Sequence, residues 1–556
     1  MIVALDMGGT HIDGVIIEEG KIIQRVKEAR DRENTFQSIW SSLKKLLNGQ
    51  DKESIERIHL STTVSTNAIV EDKIAKVGIF IQSGPGIKND FSNLAEERVF
   101  LSGYVDHRGK EVDPLNQAEI EKAYELFEEK EIEAYAIVGK FSTRNPEHEL
   151  EVKNYLADRK SASISLGHRM SGKLSFPRRV NTSYLNAAIT DNFQSFAREI
   201  KKSLEKEGIN APINILKADG GTMRIESAEE KAVETILSGP AASFTGMNAM
   251  MPTDEDTILL DIGGTTTDIF FLADGVPLFQ PKGIQIGEYK SLIRSVYSVS
   301  IALGGDSELK IEQGELKIGP ERAGYPLAFG GPKATPTDAM LVLGLMEEGD
   351  VKKAKEGIQT LADELDLSLE AMAEKVIDQM LEKMKRKIDE LVEKINSQPV
   401  YTIEKLLEGK VIDPQRIHLI GGPVKALSAE LEKKMGLACY YPKDYDIANA
   451  IGAALAKTTT EITMLADTSR EMMSVAELGI YERIPSNYSL AAAREDTLKL
   501  LEKEAIKRGA NPETLALEII EESSFNMVEG FFNKGKNIRV KAQVKPDLIT
   551  KFKGVD

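Results

Sequence analysis

A short sequence occurs twice in this 556-residue chain and constrains the fold more than any other feature. Asp6-Met7-Gly8-Gly9-Thr10-His11-Ile12-Asp13 returns as Asp261-Ile262-Gly263-Gly264-Thr265-Thr266-Thr267-Asp268, so both copies share the pattern Asp-x-Gly-Gly-Thr-x-x-Asp. Each copy lies between two apolar runs of the kind that form buried strands. Such a pattern would arise by chance in fewer than about one in a thousand chains of this length. The repeat therefore predicts two related halves, each with a strand–turn–strand unit at the same point.

The repeated turn has the chemistry of an anion-binding site. An Asp at the end of a buried strand is carried to the edge of a sheet, where it can hold a metal ion or water. We expect the two glycines to allow close backbone approach and a positive φ, so that successive amide N–H groups point at an anion. The threonine adds a hydroxyl donor. Two such turns, one from each half, could clamp a polyphosphate and its Mg²⁺ between them.

Composition excludes several other classes of protein. The chain has 71 Lys and Arg against 88 Asp and Glu, a net charge of −17, which disfavours nucleic acid and anionic membrane surfaces as partners. Its single cysteine, Cys439, cannot form an internal disulfide, and its six histidines are too scattered for a zinc or iron site. The N-terminus lacks a basic region followed by a cleavage site, and no apolar run is long enough to span a membrane. These features predict a cytoplasmic protein without nucleic-acid or membrane partners.

On its two turns, the chain resembles the actin, sugar-kinase and heat-shock chaperone ATPase superfamily. The resemblance implies an α/β fold in which two ribonuclease-H-like (actin-like ATPase) domains bind ATP in the cleft between them. It also implies that Asp6 and Asp261 hold Mg²⁺ through waters. A later strand–Gly–Gly–helix element contacts adenosine in that superfamily. The residues that we assign to nucleotide contact on this basis are Gly304, Gly305, Asp306, Gly421, Gly422, Pro423 and Asn449.

The predicted elements divide the chain into five segments. In order, they are the first hairpin and the start of the N-terminal ribonuclease-H-like domain (1–75), an α/β insertion continuing that lobe (76–180), a linking helix and return to the sheet (181–255), the second ribonuclease-H-like domain with a helical insertion at about 350–397 (256–460), and a small C-terminal α+β module (461–556). In the last segment we predict a helix at 491–508 and strands at 514–520 and 537–544.

Further blocks resemble the hydantoinase/oxoprolinase A-subunit family, and the resemblance spans about residues 1–457. The blocks are 61–68, 141–149, 238–242, 261–268, 336–339 and 448–453. The resemblance implies ATP-dependent opening of a cyclic amide or imide, such as a hydantoin or 5-oxoproline, or a related activation of a carbonyl compound. The chain departs from the family's pattern in three ways: His11 replaces a usual aromatic residue, the glycine-rich block before Asp306 is reduced, and the chain is shorter than typical members.

An unstrained amide must be activated before water can attack it. Transfer of the γ-phosphoryl group to the amide oxygen would give an imidoyl phosphate, and the two turns with Mg²⁺ would neutralise the developing charge. We expect Thr10 and the three threonines from Thr265 to Thr267 to donate to phosphate oxygens. One of Asp13, Asp268 and His11 would lie near the transferred group, where the imidazole could carry a proton. The structural alternatives are a hydrogen-bonded turn residue for His11 and hairpin-stabilising carboxylates for the two acids.

A small polar segment follows the strand that ends near residue 60. Its polar side chains belong to Thr62, Thr63, Ser65, Thr66 and Asn67. They form either the N-cap and turn of a helix or, on the family resemblance, the lining of the substrate cleft.

We therefore expect an ATP-dependent cyclic amidohydrolase that uses Mg²⁺ and acts on a small cyclic amide or related carbonyl compound. A B-type hydantoinase subunit and a second copy of the chain are the candidate partners. Two other functions stay open at this point. They are an ATPase switch that reactivates or remodels a partner enzyme, and a small-molecule kinase.

Overall fold

The fold consists of two similar lobes, an inserted sheet and a C-terminal sheet. The computed structural model describes residues 1–31, 34–86, 91, 94, 97–280, 282–322, 324–397, 411–529 and 532–554. The elements before and within the insertion are β1 (Ile2–Met7), β2 (His11–Glu18), β3 (Lys21–Ala29), α1 (Thr35–Leu47), β4 (Arg57–Ser61), α2 (Val64–Val70), β5 (Val77–Gln82), β6 (Arg98–Phe100), β7 (Tyr104–Val105), β8 (Glu111–Asp113), α3 (Gln117–Glu129), β9 (Ala134–Gly139), α4 (Glu147–Ala157), β10 (Ser163–Leu166) and α5 (Gly167–Met170).

The chain then returns to the first lobe and continues into the second. The returning elements are α6 (Phe176–Lys206), β11 (Ile213–Leu216), β12 (Thr222–Arg224), α7 (Ile225–Glu230) and α8 (Ser238–Met250). Those of the second lobe are β13 (Thr257–Ile262), β14 (Thr267–Ala273), β15 (Val276–Pro277), β16 (Gln285–Ile286), β17 (Tyr289–Lys290), β18 (Ser298–Ile301), β19 (Ser307–Glu312), β20 (Glu315–Arg322), α9 (Pro336–Val342), α10 (Val351–Glu364), α11 (Leu369–Ser397), β21 (Arg416–Ile420), α12 (Val424–Met435), β22 (Ala438–Tyr440) and α13 (Ala448–Leu455). The C-terminal elements are β23 (Glu461–Asp467), β24 (Met472–Val475), β25 (Ile480–Arg483), α14 (Leu490–Lys507), β26 (Leu517–Glu529) and β27 (Phe532–Val544).

The central sheets of the two lobes have the same strand order. In the first lobe the order is β3-β2-β1-β4-β11, with β12 at the edge, and in the second it is β15-β14-β13-β21-β22. The opening hairpin of each lobe is antiparallel, and the next two strands run parallel to its first strand. This shared topology confirms the predicted α/β fold with two ribonuclease-H-like domains.

Both faces of the central strands are buried, and alternate residues serve different cores. In β1, Val3 packs into the core of the first lobe, whereas Ile2 and Ala4 face a core shared by both lobes. In β13, Leu260 packs into the second lobe and Leu259 into the shared core. Because successive side chains of a strand point to opposite faces, one apolar run closes two layers.

Two helices rich in small residues, α8 and α13, cross within the shared core. A Cβ on Gly246 of α8 would lie 2.0 Å from Ala448 O, and a Cβ on Gly452 of α13 would lie 2.0 Å from Ala242 O. No side chain fits at either position, so the two glycines permit the backbones to approach. The crossing joins the lobes and places both helices at the base of the cleft.

The remaining elements agree with the sequence predictions in the two insertions but only in part in the C-terminal module. The insertion contains a parallel sheet in the order β10-β9-β5-β6, and the predicted helical insertion consists of α10 and α11. The C-terminal sheet has five strands, in the order β25-β24-β23-β27-β26, of which only the last two were predicted. β23 was missed because it is almost wholly buried and lacks alternation, and β24 and β25 because they are short. Residues 530–531 and 555–556 of the predicted module lie outside the described residues, and the domain limits stay a prediction.

Within the described ranges, no helix combines the length and the apolar character that crossing a membrane requires.

Gly246→Ala is expected to destabilise the chain, because its methyl group would overlap the backbone of α13. The matched control is Gly239→Ala in the same helix, where a Cβ meets nothing within 4 Å among the residues described. In thermal unfolding we expect the first variant to lower Tm by about 5 °C or more and the control to change it by no more than about 2 °C. Equal melting temperatures would contradict the close crossing.

Candidate functional site

The two copies of the repeated sequence form the same turn. The strand register pairs the two acids of each copy with each other. In both turns the first glycine amide donates to the carbonyl three residues later, from Gly8 to His11 and from Gly263 to Thr266, each at 2.9 Å. The repeat in sequence is therefore a repeat in structure.

The glycines of the turns act by leaving space, not by adopting unusual backbone angles. None of the four glycines has a positive φ, so the expectation of a positive φ in these turns is wrong. A Cβ on Gly8 or Gly263 would lie 3.2 Å from the carbonyl oxygen that its own amide bonds. At Gly9, by contrast, a Cβ would meet no described atom within 4 Å, and the residue is exposed. The tip of the first turn therefore faces open space where a ligand can approach.

Asp6 and Asp261 lie at the base of the two turns, where Asp6 is buried and Asp261 is half-buried. Burial raises the pKa of each to about 7. The partner acid of the same hairpin raises it too, Asp13 for the first carboxyl and Asp268 for the second. The charge of Asp6 also raises the pKa of Asp261. The two carboxyl groups, one from each lobe, thus lie within reach of each other's charge.

The helices at the base of the cleft bring polar side chains to these two acids. Asn449, in the first turn of α13, acts on both as a hydrogen-bonding group and lowers the pKa of Asp6 and of Asp261. Ser243 Oγ of α8 donates to Asp261 Oδ2 at 2.6 Å, and Ser61 at the end of β4 lowers the pKa of Asp6. Asp6 Oδ1 stays buried without a hydrogen-bond partner in the part of the chain that is described.

The unsatisfied oxygen of Asp6, with the carboxyl group of Asp261 and the side-chain amide of Asn449 beside it, fits a divalent cation. Carboxylate and amide oxygens are the ligands that Mg²⁺ prefers. Among the described residues, no group of three or more His, Cys, Asp or Glu side chains is arranged to hold a metal ion. A cation at this place would therefore take most of its ligands from water and phosphate, as Mg²⁺ commonly does.

A lysine and a histidine lie beside the first turn. Lys27 of β3 donates to Asp13 Oδ1 and to Asp446 O, each at 2.8 Å, so Asp13 is ion-paired within its hairpin. The Thr10 hydroxyl and His11 Nδ1 lie 2.9 Å apart. Partial burial lowers the pKa of His11, and the Lys27 charge lowers it further, which favours the neutral imidazole.

The second turn presents fewer hydroxyl groups to the cleft than expected. Thr267 Oγ1 is buried and donates to Leu303 O at 2.7 Å, so it supports the neighbouring loop. Thr265 is exposed and Thr266 half-buried. Burial raises the pKa of Asp268, and a hydrogen bond from Ser300 of β18 lowers it.

The loop at 303–306 supports the second turn through backbone hydrogen bonds. Gly305 N donates to Gly263 O at 3.0 Å, and Asp306 N donates to Gly264 O at 2.6 Å. Those two amides are used within the protein, so they do not face a nucleotide. The Asp306 carboxylate lies at the tip of the turn and accepts a hydrogen bond from Arg322 Nη2 at 2.8 Å.

The predicted strand–Gly–Gly–helix element is formed by β21, Gly421, Gly422 and α12. Gly421 has a φ of 103°, and a Cβ there would lie 2.2 Å from Ile262 O, so both the angle and the close approach require glycine. A Cβ on Gly422 would meet nothing within 4 Å of the described chain. Pro423 precedes α12 and lies against Gly305. This element therefore joins the second turn and leaves space on one side.

The block at 336–339 supports the loop at 303–306 from behind. Thr337 Oγ1 donates to Gly305 O at 2.9 Å. Asp338 caps α9 with Thr335, and it also accepts hydrogen bonds from the amides of Leu327 and Ala328. These residues hold the wall of the site and do not reach into it.

Three residues of the polar segment after β4 anchor the residues that precede and begin α8, namely Thr62 through its backbone and Ser65 and Thr66 through their hydroxyl groups. The bonds are Ser238 Oγ with the amide and carbonyl of Thr62 (3.2 and 2.9 Å), Ser65 Oγ with Thr235 Oγ1 (2.7 Å), and Leu237 N with Thr66 Oγ1 (3.1 Å). Thr63 and Asn67 are half-buried. Arg30 Nη1 donates to Gly8 O at 3.2 Å and to Thr63 Oγ1 at 3.3 Å, which links this segment to the first turn.

Four polar residues of the site were not predicted from the sequence, namely Lys27, Arg30, Ser243 and Arg322. Lys27 could not be predicted from the hairpin either, because the two-residue connection between β2 and β3 alone would pair Asp13 with Val26, and a register shift between Ile16 and Ile17 brings Lys27 opposite Asp13 instead. The other three reach the site through contacts between elements far apart in sequence.

Two family models match the chain. The model described as hydantoinase/oxoprolinase matches residues 179–462, and the one described as hydantoinase/oxoprolinase N-terminal region matches residues 2–159. The caprolactamase subunit alpha of Pseudomonas jessenii is 25% identical over 455 residues, which cover 75% of this chain and 64% of that protein. This chain therefore matches less than two thirds of that relative's length.

Two solved structures share the fold. The ATP-dependent caprolactamase from Pseudomonas jessenii superposes with a TM-score of 0.73 at 20% identity, covering 98% of this chain and 87% of the other. Nucleotide-free acetone carboxylase superposes with a TM-score of 0.71 at 16% identity, covering 99% and 88%. The two family models together match most of the chain, and the matched ranges contain both turns. The chain therefore belongs to the hydantoinase/oxoprolinase family.

Proposed function

We propose that this chain binds Mg·ATP between the two turns and uses the γ-phosphoryl group to activate the carbonyl of a cyclic amide or imide, which water then opens. The observation that carries the proposal is the convergence of Asp6, Asp261 and Asn449 at the base of two identical turns. Membership in the hydantoinase/oxoprolinase family supports the reaction class. The relative named as a caprolactamase subunit supports a cyclic amide as substrate.

In this proposal, different residues around the cleft bind the phosphates, the cation and the adenosine. The two turns would enclose the phosphates, with hydroxyl donors from Thr10, Thr265 and Thr266. Asp6, Asp261 and Asn449 would hold a hydrated Mg²⁺, which when bound supplies positive charge to the phosphate oxygens. The open side of the Gly421–Pro423 element is the proposed place for adenosine.

The reaction forms and breaks one bond at phosphorus before water acts. The amide oxygen bonds to the γ-phosphorus, and ADP leaves with the electron pair of the broken P–O bond. Water then adds to the activated carbon, and the C–N bond of the ring breaks, with the ring nitrogen leaving as a protonated amine. A second water hydrolyses the resulting acyl phosphate, which releases inorganic phosphate and the opened chain. His11 is the candidate proton acceptor, because partial burial lowers its pKa and favours the neutral ring, and Nε2 can accept a proton when Nδ1–H donates to Thr10. Thr63 and Asn67 are the half-buried residues proposed to line the substrate side.

The proposed reaction involves a second protein subunit. The caprolactamase relative is named a subunit alpha, and this chain matches only part of it. The test measures ATP hydrolysis with hydantoin, 5-oxoproline and caprolactam, each with and without a candidate B-type subunit. Equal amounts of ADP and opened product with one lactam support the proposal. Stimulation by a protein alone would indicate an ATPase switch instead, and a stable phosphorylated product would indicate a kinase.

Asp261→Asn is expected to abolish ATP hydrolysis without unfolding the chain, because it removes the charge that holds the cation and keeps the shape of the side chain. We expect phosphate release to fall by at least about 100-fold. Asp254→Asn replaces an exposed acid just before the same strand and should behave as the wild type. Wild-type turnover by Asp261→Asn would remove Asp261 from the site.

The unliganded chain is expected to gain stability when Asp6 or Asp261 is replaced by Asn. The pKa of each carboxyl group rises from 3.8 to about 7 on folding, so the folded state binds protons more tightly and loses stability as the pH rises through this window. At pH 8 with EDTA the cost is complete, and each variant should raise Tm by about 2 °C or more. The gain should shrink toward pH 5. A lower Tm for both variants at pH 8 would contradict this account of the two acids.

A further inference from the structure

An arginine of the second lobe lies at the cleft and has no role in the binding scheme above. Arg322 ends β20, where the strand register pairs it with Ser307, next to Asp306. Its Nη2 donates to Asp306 Oδ2 at 2.8 Å, and the two side chains are only 20% and 15% exposed. The ion pair is therefore mostly shielded from water. In such surroundings a hydrogen bond between charged groups keeps its geometry well.

The Asp306 carboxylate fixes this arginine at the tip of the second turn. The backbone of Asp306 is bonded to Gly264 O, and a Cβ on Gly264 would lie 2.5 Å from Asp306 Oδ2. The guanidinium of Arg322 is thus one hydrogen bond away from the glycine tip proposed to contact phosphate.

The same pair faces the first lobe across the cleft. Both charges act on His11 of the first turn: Asp306 raises the pKa of the imidazole and Arg322 lowers it. Arg322 Nε is buried and has no hydrogen-bond partner among the described residues. The guanidinium therefore retains a donor that no described residue accepts.

The cations of the first lobe are engaged differently. Lys27 is bound to Asp13 and to the carbonyl of Asp446 beside the hairpin. Arg30 bonds the carbonyl of Gly8 and Thr63 Oγ1, so it contacts the outer side of the first turn. Arg322 is contributed by the opposite lobe, and a guanidinium offers planar, paired donors that match phosphate oxygens.

We propose that Arg322 is a catalytic residue that donates to the γ-phosphoryl group during its transfer, with Asp306 as the positioning residue that holds it beside Gly264. This inference rests on the proposed function. As the bond from the carbonyl oxygen to the γ-phosphorus forms and the bond to the leaving ADP oxygen breaks, charge on the phosphoryl oxygens is met by the guanidinium, which neither gains nor loses a proton. Arginines supplied within the same chain play this part in other phosphoryl-transfer proteins.

The test compares a ground-state ligand with a mimic of the transferring phosphoryl group. Mg·ADP and Mg·ADP with aluminium fluoride are titrated into the full chain and into Arg322→Gln. We expect affinity for Mg·ADP to change by less than about threefold, affinity for the aluminium fluoride complex to fall by at least about 100-fold, and basal ATP hydrolysis to fall by about 1,000-fold. Lys317→Gln on the same strand is the control, because that exposed lysine pairs only with Glu315 among the residues described.

Two further variants keep the test decisive if Arg322→Gln folds poorly. Arg322→Lys retains the ion pair with Asp306 but not the paired donors, and should lose at least about tenfold in aluminium fluoride affinity. Asp306→Asn should lower kcat with little change in KM for ATP, because it loosens the arginine and leaves the phosphate turns in place.

The outcomes separate this inference from the function on which it rests. Equal loss of affinity for both ligands would make Arg322 a ground-state binding residue, and wild-type affinity for the aluminium fluoride complex in Arg322→Gln would exclude it from the reaction. Either result overturns the inference and leaves the ATP site standing. Absence of Mg·ADP binding to the wild-type chain would overturn both.

Discussion

The rest of the structure depends on two carboxyl groups, one buried and one half-buried, that the fold brings together from different lobes. Asp6 and Asp261 each end the first strand of a hairpin, each faces a second acid across that hairpin, and each carries a pKa raised to about 7. Without a counter-charge this arrangement opposes folding, because burial and neighbouring acids both disfavour ionisation. Two helices in glycine-mediated contact nevertheless hold Asn449 and Ser243 against the pair. This arrangement, with one oxygen of Asp6 left without a hydrogen-bond partner among the described residues, supports the proposal that the site holds a cation and its ligand.

The two halves repeat the turn but surround it differently. The second turn is braced by the loop at 303–306 and by Gly421, so its backbone carbonyls are occupied. The first turn ends at the exposed Gly9 and adjoins Arg30 and the polar segment after β4. In the proposed function, the repeated part would supply a symmetric clamp for phosphate. The parts that differ would place the substrate-side groups on one lobe and the Asp306–Arg322 pair on the other, so that a duplicated scaffold could direct the reaction.

Much of this could be predicted from the sequence, because the decisive signals are local. A repeat of Asp-x-Gly-Gly-Thr between apolar runs fixes two hairpins, and their acids fall in register automatically. Local patterns could not show that Thr267 bonds Leu303 and not a ligand, or that the glycines act through space and not through φ. Ser243 and Arg322 could not be predicted, because only packing between elements far apart in sequence brings them to the cleft. The strands of 461–483 escaped because a strand buried on both faces, or one only four residues long, carries no alternation.

Calorimetric titration with Mg·AMP-PNP, a nucleotide that keeps the γ-phosphoryl group, tests the central claim most directly. The account predicts one site per chain, with heat that disappears when Mg²⁺ is removed by EDTA, because the two carboxyl groups repel the triphosphate unless the cation lies between them. Absence of heat in the presence of Mg²⁺, or equally tight binding in EDTA, would contradict it.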